Sequence, residues 1–323
     1  MSSRRTAAAL RHPAIRKSSI CVLVMLIAAP GAAFGYKRTT AGNGGPCLFW
    51  STRGHSYMID ARGTPDVPAN TAFDAVRRSF QAWAGISCSD LVFPDLGVSS
   101  DPADRKVGYV AGAFNRNLVL WRTASCALGG APQNDPCQTA GGCGNTYDCW
   151  DKGDNVIAVT TTTFNRTTGQ IYDADIELNG AAHGNGSSAF VFTANDGPPC
   201  SSPSQTGCIH YDIQNTVTHE AGHSIGLDHS LKESATMYAF APEGDVAKRS
   251  LDTDDSDAIC AIYPKGAPTA TCVGDPVVLT QTGSSNGGGC GCSSRGGGAP
   301  VEFILAALGL VALRRRRLGS VRG

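Results

Sequence analysis

The stretch HEAGHSIGLDHS spans residues 219–230 and contains three histidines and one glutamate. His219 and His223 are four positions apart, so on a helix their side chains share one face and can reach one metal ion. Gly226 permits a sharp change of chain direction, which would return His229 to the same ion. The stretch therefore predicts a helix, a turn directly after it, and a three-histidine metal site where the two meet.

The glutamate of this stretch is expected to act differently from the histidines. Glu220 follows the first histidine directly, and on a helix it points about a quarter turn away, which suits a general base better than a ligand. Three imidazoles leave the fourth position of a zinc ion open, as in catalytic sites. A structural zinc clip would give the glutamate no role, and histidines on a solvated helix face would not need this spacing. The pattern favours a zinc-dependent hydrolase.

The pattern HExxHxxGxxH, with a methionine eight residues after its last histidine, resembles the metzincin metalloproteases. In that family the residue matching Met237 lies beneath the zinc as an apolar floor. Ser230, directly after the third histidine, resembles the matrixin branch. Four further stretches look like successive matrixin landmarks: RSFQAWAG, YDADIELNG, DIQNTVTHEAGH and LDTDDSDAICAIYP. The resemblance covers most of residues 47–264.

This resemblance implies a matrixin-like zinc metalloendopeptidase that hydrolyses peptide bonds with metal-activated water. It implies that zinc is held by His219, His223 and His229, that Glu220 is the catalytic base, and that the partner is a protein or peptide substrate. The alternative is a non-catalytic surface adhesion or binding protein on a metzincin scaffold. The intact glutamate argues against that alternative, because a scaffold that no longer cuts has no need of it.

The chain departs from the matrixin pattern in three places. Matrixins usually carry a propeptide with a cysteine switch, and Cys47 in GGPCLFW does not match that motif. Ala239 stands where a proline commonly follows Met-Tyr. Residues 124–151 replace the region where the family's structural metals often bind, so Ca²⁺ is possible but its ligands are unknown. His55, His183 and His210 are candidates for such sites, although a lone histidine is more often hydrogen-bonded or exposed.

The apolar pattern predicts an α+β fold. Residues 70–85 place four large apolar side chains at helical spacing, with Asn70 or Thr71 available as N-cap. Strands are predicted at residues 55–60, 117–121, 155–164 and 169–180, and helices at 212–226, capped by Asp212, and at 252–264. The resemblance sharpens this to a metzincin-like domain with a twisted, mostly parallel sheet, three main helices and disulfide-rich loops.

The cysteines indicate an exported protein. Ten of the 13 lie between residues 47 and 272, an even number that predicts up to five disulfides in an oxidising compartment. None of the ten forms a CxxC pair, which argues against a cysteine zinc site. Proximity favours a bond between Cys200 and Cys208. The cysteines from 126 to 149 predict a stapled surface loop.

The first 35 residues read as a signal peptide. Five basic residues precede an apolar run at 20–29, and Ala33-Phe34-Gly35 predicts cleavage before Tyr36. The run is too short for a permanent membrane helix. An arginine pair at 4–5 leaves twin-arginine export as an alternative.

The last residues read as a sorting signal. Residues 267–299 form a Gly/Ser-rich linker with Cys290 and Cys292, and residues 300–323 combine a short apolar segment with four consecutive arginines. This arrangement resembles the MYXO-CTERM signal of myxobacterial surface proteins. It implies a sorting machinery as partner, and either display on the bacterial outer surface or release. A simple membrane tail is the alternative. The metallopeptidase domain is therefore expected at residues 36–266.

Charge separates the expected domain from its two ends. The whole chain balances 27 basic against 27 acidic residues, but five basic residues lie in the leader, and six basic and one acidic residue follow Cys292. The part between them has 16 basic and 26 acidic residues, an excess that argues against a nucleic-acid partner. Nothing in the sequence determines the oligomeric state, and a monomer is the expectation.

Overall fold

A computed structural model of the chain describes residues 35–138, 146–182, 190–272 and 301–302. The chain divides into two compact units, Met1–Phe34 and Gly35–Gly323, and all described residues belong to the second. In the described residues no helix is both long enough and apolar enough to cross a membrane. Several predictions concern residues outside the described ones: the signal peptide as far as residue 34, His183, the Cys290 and Cys292 motif, and the arginine cluster.

Five strands form the main sheet, and α-helices pack against one face of it. The strands are β1 (Tyr57–Asp60), β2 (Asp95–Ser99), β3 (Leu118–Arg122), β4 (Ala158–Phe164) and β5 (Ile171–Asn179). Their order across the sheet is β2-β1-β3-β5-β4. The first four strands in this order, β2, β1, β3 and β5, run parallel to one another. Strand β4 pairs antiparallel with β5 over its whole length. The predicted α+β class with a mostly parallel sheet is confirmed, although the sequence pattern did not reveal β2.

Strand β5 is buried on both faces, and its two faces differ in chemistry. Successive strand residues point to opposite sides. Ala174, Ile176 and Leu178 therefore share the inner face and join the main core. Asp173, Asp175, Glu177 and Asn179 occupy the outer face, and each is at most 2 % exposed. The matrixin-like stretch YDADIELN thus supplies core to one side and a row of buried polar groups to the other.

Three α-helices are present in the described residues: α1 (Ala69–Ala84), α2 (Ile213–Ser224) and α3 (Thr253–Ile262). The predicted cap of α1 is wrong. The N-cap is Pro68, without a side-chain cap bond, because the amide of Ala72 already donates to the Pro68 carbonyl and the helix begins before Asn70. Its predicted end at Gly85 is confirmed. Helix α1 packs along α2 and buries an apolar stripe that includes Val76, Phe80 and Trp83.

The caps of the other two helices agree with the sequence. Asp212 accepts a hydrogen bond from the amide of Asn215 at 2.7 Å and caps α2, as predicted. The helix ends at Ser224, two residues earlier than expected. At the start of α3, Asp252 and Asp255 form a reciprocal capping box, so these two acids cap the helix.

Four disulfides join described cysteines. Cys200–Cys208 is confirmed, and Cys126–Cys149 closes the predicted stapled loop. The other two are long-range: Cys47–Cys272 links residues 225 positions apart, and Cys88–Cys260 ties the end of α1 to α3. The disulfide-rich character expected for an exported domain is therefore present.

Short strand pairs complete the fold around α2. Lys37–Arg38 pairs with Leu227–Asp228, and Phe192–Thr193 pairs with Tyr211–Asp212 directly before the helix. Phe240–Ala241 pairs with Val301–Glu302. The first two pairs hold the chain immediately before and after α2, and so fix where this helix begins and where the chain goes when it ends.

Candidate metal centre

Three imidazoles converge at the carboxyl end of α2. His219 and His223 lie one turn apart and are buried, and their Nε2 atoms are 3.1 Å apart. The Nε2 atom of His229 lies 3.2 Å from that of His223. One nitrogen from each ring falls within 4.8 Å of the others. The structure thus brings together the three histidines that the sequence selected as ligands.

Backbone acceptors determine which ring nitrogen of each helical histidine carries the proton. Nδ1 of His219 lies 2.6 Å from the Thr236 carbonyl, and Nδ1 of His223 lies 2.8 Å from the Leu227 carbonyl. A carbonyl can only accept, so each neutral ring must carry its hydrogen on Nδ1. The two Nε2 atoms then face each other as lone pairs at 3.1 Å, with no hydrogen between them.

This donor set fits zinc. Neutral imidazole nitrogens are preferred zinc ligands, and three of them around one tetrahedral ion at about 2.1 Å would be about 3.4 Å apart. The measured separations from His223 are 3.1 and 3.2 Å. Lone pairs at such distances repel one another unless a cation lies between them. The geometry therefore points to a cation site with nitrogen ligands.

Two glycines allow close packing around the three histidines: one lies before His229, and the other contacts Met237. Gly226 adopts φ +92°, and a Cβ there would lie 2.5 Å from the Leu48 carbonyl oxygen. Leu227–Asp228 then pairs with Lys37–Arg38, which delivers His229. A Cβ on Gly222 would lie 2.2 Å from the Met237 sulfur. Met237 is 1 % exposed and packs against α2 at Gly222.

Helix α3 supports the chain that carries Met237. Asp255 is fully buried, and its carboxylate accepts from the amides of Thr236 at 2.7 Å and Met237 at 3.1 Å. The carbonyl of Thr236 in turn accepts from His219. Asp254 accepts from the Ser230 hydroxyl at 2.7 Å and from the amide of Tyr36 at 3.0 Å. The sequence pattern predicts that the acids of residues 252–257 cap a helix, with a calcium site as the alternative, and it does not reveal these contacts near the three histidines.

The glutamate lies between α2 and the edge strand of the sheet. Glu220 is 0 % exposed, and its Oε2 accepts from the hydroxyl of Thr160 on β4 at 2.6 Å. Its other oxygen, Oε1, is buried without a hydrogen-bond partner among the described residues. Burial raises the pKa of Glu220 to about 8, against the opposing effects of Thr160 and of the positive charge of Lys248.

A buried lysine lies next to this centre. Lys248 is 4 % exposed; its ammonium donates to the Tyr238 carbonyl and lies 3.5 Å from Nδ1 of His219. Burial lowers its pKa to about 8. Burial, and then this nearby charge, hold the pKa of His219 well below its ordinary value, and burial lowers that of His223 to about 3. Both imidazoles are therefore neutral near pH 7, the form that binds metals.

The other sequence candidates lie elsewhere. His55 is buried beside Trp50, with its ring nitrogens 3.2 Å from the side chains of Asn117 and Ser224. His210 contacts the Glu243 carboxylate and the Gln205 carbonyl. A second group of potential ligands in the described residues combines Cys200, Cys208 and His210, but its two sulfurs are bonded to each other. His55, His210 and the two cysteines therefore lie outside the three-histidine centre.

Comparisons with known proteins agree with this geometry. The profile of the matrixin family matches residues 148–264, about a third of the chain, which includes β4, β5, α2 and α3. The chain is 32 % identical over 149 residues to stromelysin-1 of Mus musculus, and 44 % identical over 61 residues to interstitial collagenase of Bos taurus. The aligned parts cover 40 % and 18 % of this chain, and 29 % and 12 % of those relatives. These matches support a matrixin-like metzincin domain.

Proposed function

We propose that this protein is a zinc-dependent endopeptidase of the matrixin type, with Glu220 as general base. His219, His223 and His229 would hold the ion, and Met237 would line the space beneath it. The observation that carries the proposal is the meeting of three imidazole nitrogens at 3.1–3.2 Å, with the Nδ1 atoms of both helical rings turned toward carbonyls. Zinc bound there would supply a Lewis acid for the scissile carbonyl and would acidify water toward neutral pH.

Glu220 would move the proton. Its carboxylate is fixed through Oε2 by Thr160, which leaves Oε1 without a partner in the described residues. Oε1 would take a proton from the attacking water and return it to the nitrogen of the leaving amine. Glu220 lies on α2 next to His219 and within one turn of His223, so the helix itself sets its distance from these two histidines.

Strand β4 offers a place for an extended peptide. It lies at one end of the five-stranded sheet, so one of its edges has no partner in that sheet. A peptide can add to such an edge through main-chain hydrogen bonds. Since Thr160 on β4 contacts Glu220, a peptide paired there would pass close to the carboxylate. The fold therefore supports a protein or peptide substrate.

The test compares the purified wild-type chain with Glu220→Gln, which keeps the shape of the side chain but removes the base. We expect one zinc per chain in both proteins. The wild type should cleave a mixed peptide library, lose activity with a zinc chelator and regain it with added zinc. Glu220→Gln should lower kcat/KM about 10³-fold, within the range for loss of a general base. Cleavage by the variant at the wild-type rate would exclude this mechanism.

The same assay decides the second candidate function. A chain that binds zinc at full stoichiometry, yet shows no chelator-sensitive cleavage of any peptide in the library, would be a binding or adhesion protein on this scaffold. Glu220 is buried and contacts a polar side chain. This favours the enzyme, because burial of a carboxyl group that has no role would cost free energy without benefit.

We also propose export, with cleavage before Tyr36 and residues 36–266 as the metallopeptidase domain. The segment after residue 266 would direct display or release of the protein at the bacterial surface. The four disulfides between described cysteines favour an oxidising compartment. Expression of the chain in its host, followed by cell fractionation and N-terminal sequencing, tests this proposal. We expect surface or medium fractions and Tyr36 as first residue; full-length protein in the cytosol would contradict it.

A further inference from the structure

The strand β4 carries four consecutive threonines, and one of them contacts the general base. Thr160 is 0 % exposed, and its hydroxyl oxygen lies 2.6 Å from Oε2 of Glu220 and 3.0 Å from the main-chain carbonyl of the same residue. Thr162, two residues along and on the same face, is 2 % exposed, and its hydroxyl has no hydrogen-bond partner in the described part of the chain. The strand therefore tolerates a buried hydroxyl without a partner, so burial alone does not explain the contact of Thr160.

The Thr160 hydroxyl has one hydrogen and two acceptors within reach. An ionised carboxylate is the stronger acceptor, and the Oε2 contact is the shorter of the two. The hydrogen therefore points to Oε2 when Glu220 is ionised. This bond distinguishes two oxygens that are otherwise equivalent: Oε2 accepts from the hydroxyl, and Oε1 has no hydrogen-bond partner in the described residues.

We propose that Thr160 is a positioning residue that assigns the two carboxylate oxygens of Glu220 to different tasks. Oε2 is held by the hydroxyl throughout the reaction, and Oε1 accepts the proton from water and passes it to the leaving amine. The hydroxyl also limits rotation of the carboxylate about its terminal bond, which keeps Oε1 aimed at the reacting atoms. This inference rests on the proposed endopeptidase function.

The chain offers a matched set of variants for the test. Thr160→Val removes the hydroxyl and keeps the branched shape that suits a strand. Thr160→Ser restores the hydroxyl. Thr162→Val is the control, because it makes the same exchange on the same strand and face at a hydroxyl without a hydrogen-bond partner in the described residues. Thr160→Ala serves as a second variant without a hydroxyl if the valine packs poorly.

Each variant is prepared in the full chain, and its zinc content, kcat and KM are measured on one peptide cleaved by the wild type. We expect Thr160→Val and Thr160→Ala to bind one zinc, to change KM less than about 3-fold, and to lower kcat about 10–100-fold, the range for losing a hydrogen bond to a charged group. Thr160→Ser should recover most of the rate. Thr162→Val should match the wild type.

The outcomes separate this inference from the function on which it rests. If the wild type is active and Thr160→Val loses no more activity than Thr162→Val, the positioning role is overturned while the endopeptidase stands. Equal losses in Thr160→Ser and Thr160→Val would also overturn it, since packing and not the hydroxyl would then matter. A wild-type chain that holds zinc and cuts no peptide would refute both proposals.

Discussion

Two groups of polar side chains are buried on opposite sides of the sheet, and they are stabilised in different ways. The inner group, His219, Glu220 and His223, comes from one helix and contacts main-chain carbonyls and one hydroxyl. The outer group, Asp173, Asp175 and Glu177, comes from β5. Its carboxylates contact the guanidinium of Arg122 and the amides of Gly108 and Leu118, which lie on separate segments of the chain.

The inner group brings ring nitrogens together as metal ligands would be, whereas the outer group pairs carboxylates with groups of the chain itself. This pairing is partial, because Asp173 Oδ2 and Glu177 Oε1 are buried without a hydrogen-bond partner in the described residues. In the inner group the Nε2 atoms of His219 and His223 face each other at 3.1 Å, while both Nδ1 atoms face carbonyls, a geometry that a bound cation would stabilise. In the outer group, Arg122 is 1 % exposed and bonds to Glu177 at 2.6 Å and to Asp148 at 2.7 Å. The guanidinium of Arg122 thus supplies a positive charge beside the acidic strand β5.

The largest difference between the groups is expected in metal binding. His223→Ala removes one of the three converging nitrogens and should weaken zinc binding by well over 100-fold, since even the outer partners of ligands are worth 10–100-fold. His210→Ala removes a buried histidine outside the centre and should leave zinc binding unchanged. Competition with a chromogenic chelator measures both. Equal affinities for the two variants would show that the converging rings do not bind the metal.

The outer group should matter instead for stability. Arg122→Met leaves Glu177 buried without its cation and should lower the free energy of unfolding by about 3–5 kcal/mol. Arg77→Met removes exposed ion pairs to Asp74 and Asp95 and should cost below about 1 kcal/mol. Urea unfolding measures both, with zinc content as a check that the inner group is intact. A loss of zinc in Arg122→Met at native conditions would contradict the separation of the two groups.

The inner group could be predicted because its geometry is local. A spacing of four on a helix fixes the relation of His219 to His223, and Gly226 gave a physical reason for the return of the chain at His229. The need for Gly222 follows from a contact with Met237 that no spacing reveals. The same holds for Asp255 and for Thr160, whose partners lie 19 and 60 residues away in sequence.

The outer group could not be predicted, because a local alternation pattern does not show which distant segments cover a face of the strand or pair with its acids. The stretch YDADIELN alternates as a half-exposed strand would, and this pattern predicts a strand without indicating what its acids contact. In the structure loops cover that face, and Arg122 reaches it from the neighbouring strand β3. The prediction of the α1 N-cap was also wrong. Asn70 and Thr71 are good capping residues, but the helix begins before them.

Acidity should affect the outer group through its two aspartates. Burial raises the pKa of Asp173 to about 6, and it raises that of its hydrogen-bonded neighbour Asp175 as well. The folded chain then binds more protons than the unfolded chain between pH 4 and 6. Stability from this source is therefore greatest below pH 4 and is lost as the pH rises to 6, by up to about 3 kcal/mol.

Asp173→Asn should remove much of this dependence, because an amide does not titrate. Urea unfolding at pH 4, 5, 6 and 7 compares the variant with the wild type and with Asp257→Asn, an exposed acid on α3. We expect the difference in unfolding free energy between Asp173→Asn and wild type to grow in favour of the variant as the pH rises from 4 to 6. A difference independent of pH would show that folding does not raise the pKa of Asp173.

The smallest effect is expected where the inner group is braced from a distance. Asp252 caps α3, and α3 carries Asp255, whose carboxylate holds the chain around Met237. Asp252→Ala should cost about 1 kcal/mol of unfolding free energy, the usual value of an N-cap. Because the bonds of Asp255 to Thr236 and Met237 remain, zinc affinity should change less than 2-fold. A loss of affinity comparable to that of His223→Ala would mean that the cap of α3, and not the local geometry of α2, determines the arrangement of the three rings.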